Sequence, residues 1–212
     1  MNESRLVLII GTGCQARVVA EILRSSDRPV AGLVAPPDAL HRGEEVQGQF
    51  LSWEEALKHR DECEVIIGVG DNALRQRLQK AARDAGFSIG RAVHPSAVIG
   101  KDVRLEPGTV VSPGAILVLN VSVGEGAIIN TGARIDHDCV ISPFCHIGPG
   151  AILAGTVRLG ERVFVGAGAT IINNVKVGAD TVIGAGAVVV RDLPEGVVAA
   201  GVPARIMRDV EV

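Results

Sequence analysis

The chain has 212 residues and a formal net charge of -3, with no block of Lys or Arg, which removes the electrostatic footprint that a nucleic acid or an anionic membrane requires. Hydrophobic residues make up 47%, ample for a core, while aromatics make up only 2% and Gly numbers 26, so the architecture must pack small aliphatics rather than rings. The apolar run before the first glycines is too short for a signal peptide or a spanning helix, and a cytoplasmic protein is expected.

Residues 6–23, "LVLIIGTGCQARVVAEIL", read as strand, glycine turn and helix. Gly11, Gly13 and Ala16 fit G-x-G-x-x-G/A, in which a backbone turn approaches a phosphate and the helix N-terminus favours its charge. A dinucleotide site also asks for an acid at the end of the second strand. Here "PVAGLV" runs into Ala35 and Pro36, and Asp38 lies beyond two prolines. The alternation continues with a first helix from about Ala16 to Arg24, a helix around "WEEALKHRD", strand "EVIIGVG", helix "NALRQRLQKAARDAG" and strand "SIGRAV". This predicts an α/β half-Rossmann subdomain over residues 1–92, the size of one mononucleotide half, able to cradle a single nucleotide or its pyrophosphate. Cys14, Cys63, Cys139 and Cys145 form no C-x-x-C pair and are expected to be buried, reduced thiols.

From Val98 to Leu193 the sequence divides without a gap into sixteen hexads, such as "RIDHDC", "HIGPGA" and "FVGAGA". The second position is Ile, Leu or Val in each, and the sixth is small or aliphatic. One short strand and one turn per hexad make a triangular coil, three hexads to a turn and about five turns in all, with second-position aliphatics stacked inside. A parallel β-helix of hexapeptide repeats is therefore predicted over residues 93–212, with His94 as a structural residue at the junction. Side chains alternate along a strand, so at most one of Asp136 and Asp138 is expected to orient His137. Only two histidines, His137 and His146, lie in the repeat, which is too few for a three-histidine metal site, and no metal is expected. His41 and His59 receive no role.

The segments "VHPSA", "IINTGARIDHDCVI" and "EGVVAAGVPARIM" resemble one family across essentially the whole chain, the bacterial sugar O-acyltransferases of the sialic acid O-acetyltransferase type. That family includes the N-acetyltransferases of nucleotide-linked 4-amino-sugars. The resemblance implies a left-handed β-helix, acetyl-CoA as acyl donor, a homotrimer with active sites between subunits, and His137 as catalytic base with Asp138 as its partner. An imidazole suits this chemistry independently, because an amine or hydroxyl must lose a proton as it attacks a thioester. By the same resemblance His146, Ala167, Ala185 and Arg205 meet the coenzyme, although tight corners alone also account for the small residues. Gly11, Gly13, Cys14, Gln15, Gly70 and Asn72 meet the nucleotide sugar, with an Asp-capped helix as the plainer reading of "GVGDNALR". Cys14 and Gln15 stand where the family has Gly and His, and Ala35 and Pro36 where it has acids. The repeat has no inserted loop, so the N-terminal half is expected to cover the site. Three readings follow: N-acetylation of a nucleotide-linked amino-sugar, O-acetylation of a sugar such as sialic acid, and a non-catalytic nucleotide-sugar scaffold.

Overall fold

Buried strands alternating with amphipathic helices build the N-terminal unit, Met1–Pro95, of a computed structural model that describes residues 6–35 and 50–210. Its strands are β1 (Leu6–Ile10), β2 (Val30–Val34), β3 (Phe50–Leu51), β4 (Cys63–Ile67) and β5 (Ser88–Ile89). They form one parallel sheet in the order β3-β2-β1-β4-β5. Val7 to Ile10 are all buried, as expected of a central strand covered on both faces. Helix α1 (Cys14–Ser25) presents Ala16, Val19, Ile22 and Leu23 to the interior. Helix α2 (Trp53–Leu57) opens with a capping box between Ser52 and Glu55, and α3 (Asn72–Asp84) is capped by the Asp71 carboxylate. Trp53 meets Phe87 edge to face at 5.9 Å over the cluster of Leu8, Ile10, Val34, Val65 and Ile67.

The half-Rossmann alternation is present, with differences of detail. "SIGRAV" divides into β5 and a separate β6 (Ala92–Val93), and the second helix stops at Leu57. Cys63, Cys139 and Cys145 are buried, but Cys14 is exposed, because it is the first residue of α1 and stands at the tip of the turn. Pro36, Asp38 and His41 lie outside the described residues.

In the second unit, Ser96–Val212, a two-residue strand begins every hexad, from Val98–Ile99 to Val188–Val189. Strands eighteen residues apart pair in parallel, giving a prism of three sheets. Call its faces first, second and third, beginning with Val98, Arg104 and Val110. From Val111 to Val189 every second-position residue is buried, as is every sixth-position residue from Thr109 onward. The turns explain the rest of the pattern. In fifteen of the sixteen hexads the fifth residue has positive φ, and most are Gly, Asn or Asp, which tolerate it best. Thr156 at φ 64, Phe144 at φ 58 and Arg162 at φ 56 are the three costly exceptions. The coil ends in an antiparallel hairpin, β23 (Val197–Gly201) with β24 (Ala204–Asp209), whose labels follow from sixteen hexad strands counted as β7 to β22.

Candidate active site

The corner after the first face carries the His137 group. Residues 136–138 form a turn beyond the strand Arg134–Ile135, so strand alternation does not govern them. Asp136 turns back to accept the backbone N–H of His137 at 2.7 Å. Asp138, at φ 60, swings its carboxylate alongside the ring, with Oδ2 2.8 Å from His137 Nδ1. Its other oxygen, Oδ1, accepts Asn120 Nδ2–H at 2.6 Å from the preceding coil. The hydrogen bond to Asp138 raises the His137 pKa above its ordinary value, with the negative charges of Asp136 and Asp138 adding to it against some loss of hydration. Asn120 first, and His137 second, hold Asp138 below the usual carboxylate range. With Nδ1 bonded to an anion, Nε2 is the nitrogen left to take a proton. It lies over Gly155 of the next coil, where a Cβ would come within 2.6 Å of it, so only glycine leaves the ring its place.

The side chain of His137 is 48% exposed, which suits a base that must meet substrate. Cys139 points inward, donates to Ala154 O at 3.2 Å, and is pushed up to about 11 by burial. Cys145 is likewise buried against Gly160 O. Neither thiol is available as a nucleophile.

The coenzyme candidates lie elsewhere on the prism. His146 starts a strand of the third face, buried, with Phe164 edge-on at 5.2 Å and Asn130 Nδ2 at 3.0 Å from its Nε2. Asn130 Oδ1 accepts the Thr131 N–H, which turns its NH₂ toward the imidazole, so Nε2 of His146 is the acceptor. Ala167 and Ala185 are exposed and stack at the corner after that face, a different corner from that of His137. Gly148 and Gly166 admit this stacking, since a Cβ on either would come within 2.9 Å and 2.5 Å of the Ala167 and Ala185 amides. Arg205 is exposed on β24 and borders a groove of about 400 Å³ with Arg191, Asp192, Leu193, Ala204 and Ile206.

In the N-terminal unit, the sheet order reverses between β1 and β4, the place where open α/β sheets bind ligands. The turns at Gly11–Gln15 and Gly68–Asn72 meet there. Gly11, at φ 134, packs on Gly68, whose carbonyl would lie 2.6 Å from a Cβ, and Gly68 in turn lies against Ala16. Gly13 and Gly70 have open space where a side chain would project. Gly13 caps α1 without a side-chain bond and the first turn has no acid, leaving the positive helix end uncompensated. Gln15 Nε2 is buried without a hydrogen-bond partner, a donor that a bound acceptor atom would satisfy. On the other turn, fully buried Arg75 ties the segment together: its guanidinium donates to Val69 O, Gly70 O and Asn72 Oδ1. Asp71 caps α3 as the plainer reading anticipated.

Sequence reasoning missed Asn120, Gly155 and Arg75. The first two were findable, because they stand three hexads from Asp138 and His137 and so share their corner. Arg75 follows Asn72 by three residues on a helix, but its burial had no sequence signal. His59 contacts Glu62 at 3.5 Å on the surface. Among the described residues no group of three His, Cys, Asp or Glu gathers for a metal, and no helix is long and apolar enough to cross a membrane.

Residues 6–82 match the PglD N-terminal domain family and residues 156–191 match the bacterial transferase hexapeptide family of six repeats. No curated protein matches. Among solved structures, a histidine-to-asparagine variant of perosamine N-acetyltransferase from Caulobacter crescentus, in complex with CoA and GDP-perosamine, is 44% identical over 96% of this chain and 97% of its own, with TM-score 0.90. PerB of that organism, with the same ligands, is 46% identical over 95% of this chain and 96% of its own, with TM-score 0.88. The chain belongs to the hexapeptide-repeat sugar acetyltransferases. The acetyltransferase domain of PglB from Neisseria gonorrhoeae, 31% identical over 96% of this chain and 100% of its own with TM-score 0.88, extends the likeness to a more distant relative. As a sugar acetyltransferase of this family, the protein is an acyltransferase and its coil is the left-handed β-helix.

Proposed function

We propose that the protein transfers the acetyl group of acetyl-CoA to the amino group of a nucleotide-linked amino-sugar in the cytoplasm, with a GDP-linked 4-amino-sugar as the first acceptor to try. The single observation that carries the chemistry is the Asn120–Asp138–His137 line, which leaves Nε2 of the half-exposed His137 as the proton acceptor. The likeness at 44% identity to a perosamine N-acetyltransferase crystallised with GDP-perosamine supports the acceptor class and favours N- over O-acetylation. The amine attacks the thioester carbonyl directly, Nε2 takes the amine proton, and the CoA thiolate departs. Gly11, Gly13, Cys14, Gln15, Gly70 and Asn72 are the candidate acceptor contacts: open backbone for the pyrophosphate, and the unpaired Gln15 donor where the family has a histidine. His146, Ala167, Ala185 and Arg205 are the candidate coenzyme contacts.

The reading includes a homotrimer, as the family resemblance implies. His137 and the candidate coenzyme positions occupy different corners of one prism, which supports a site completed by a neighbouring copy. The corner of His137 is flanked by exposed Val118, Leu119, Ile172 and Val190, an apolar strip suited to such a contact. The test is thiol release from acetyl-CoA across GDP-, UDP- and dTDP-linked amino-sugars and free sialic acid, with product mass and the mass of the oligomer in solution. Release with one nucleotide-linked amine supports the reading, and release with sialic acid alone would replace it by O-acetylation.

Asp138→Asn gives the pH test. The carboxylate raises the His137 pKa, and the base works only when neutral, so activity is lost as pH falls through that pKa. Removing the charge lowers it. The acidic limb of kcat/KM is therefore expected to move to lower pH, with a lower plateau because the ring loses its anchor. An unmoved limb would assign it to another group.

A further inference from the structure

We propose that Asn120 is a positioning residue of the acetyl transfer: its side-chain amide clamps one oxygen of Asp138 so that the other is aimed at His137 Nδ1. The inference rests on the reading of His137 as base. Asn120 lies in the coil before Asp138, eighteen residues earlier, at the same fifth position of its hexad and with the same left-handed backbone, φ 52 against φ 60. Their amides are fixed by the coil, Asn120 N–H on Lys101 O at 2.9 Å and Asp138 N–H on Leu119 O at 3.1 Å. Stacked corners thus bring Asn120 Nδ2 to 2.6 Å from Asp138 Oδ1, while Oδ2 stands 2.8 Å from the imidazole.

The residue type is informative. A carboxylate accepts only, so the group facing Asp138 must donate, and an Asp at 120 would set two anions against each other. A Gly would serve the turn equally well but donate nothing. Without the clamp, an exposed carboxylate rotates among its rotamers and shares its time with water, and the neutral imidazole reverts toward the Nε2–H tautomer that cannot accept a proton at Nε2. The same corner continues as a polar ladder in the following coils, with Thr156 Oγ1 donating to Asn174 Oδ1 at 2.7 Å. The charged groups about the ring are Asp136 and Asp138; Asn120, Gly155 and Thr156 from the adjoining coils are neutral.

The test uses Asn120→Gly, which keeps the left-handed turn unstrained. In full-length protein carrying 15N-histidine, the nitrogen shifts of His137 above its pKa report the tautomer directly. The wild-type ring is expected to be mainly Nδ1–H, and the variant to shift toward Nε2–H. kcat should fall about tenfold, with both KM values within about twofold, as for loss of orientation rather than binding. In an Asp138→Asn background the same change should have no further effect on kcat, since the clamped carboxylate is gone. An unchanged tautomer in Asn120→Gly, or an undiminished tenfold loss in the Asp138→Asn background, would overturn the proposal. A tautomer shift together with full activity of His137→Ala would instead uphold the clamp and remove the base assignment.

Discussion

His137→Ala is expected to lower kcat/KM by about 10²–10⁴-fold, the usual contribution of a positioned general base. The fold should be little affected, because the side chain is 48% exposed and makes its ring hydrogen bond to a surface carboxylate. The loss should itself depend on pH. Below the pKa of the acceptor amine the enzyme must remove a proton before nucleophilic attack can proceed, whereas at high pH the amine arrives deprotonated and needs less help. Steady-state rates across pH, with a thermal melt of the variant as control, measure both points. Turnover within about threefold of wild type at every pH, against the 10²-fold minimum of a general base, would end the assignment.

Ile135→Ala should cost about 2–5 kcal/mol of stability, the range for removing a large aliphatic side chain from a packed core. Ile135 is fully buried at a second hexad position, between Leu117 and Leu153 in neighbouring coils of the first face. A cavity there cannot be closed easily, because each coil is held to the next by backbone bonds on all three faces. The strand ends two residues before His137, so the corner should loosen as well. Denaturant midpoint and kcat are expected to fall together in this variant, in contrast to His137→Ala, where only activity falls.

The hexads were legible because their physics is local and repeated. A second-position aliphatic must face inward, and a fifth-position Gly, Asn or Asp favours the left-handed turn taken at fifteen of the sixteen corners. Strands therefore begin at the first residue of every hexad. The short elements of the N-terminal unit were less legible. "SIGRAV" divides in two and Phe50–Leu51 pairs with β2, because two-residue strands carry too little pattern to register. Asp138 beside His137 was anticipated from the family resemblance; the strand alternation applied to Asp136 and Asp138 does not hold, because these residues belong to a turn, and a positive φ at Asp138 brings consecutive side chains together.

The amino-acid sequence by itself determined the two-part architecture, the β-helix and the choice of His137 as the candidate base, since periodicity, glycine spacing and the "RIDHDC" hexad are all written along one chain. Tertiary structure alone decided what surrounds that histidine. Asn120 and Gly155 reach it because coils stack at eighteen-residue intervals, and Arg75 holds Gly70 and Asn72 because its burial is set by the packing of α3. Tertiary structure also put His137 and the candidate coenzyme residues on different corners of one prism. The physical reason is common to all of these: hydrogen bonding and steric contact act over a few ångströms, and the fold, not distance along the chain, determines which groups come that close.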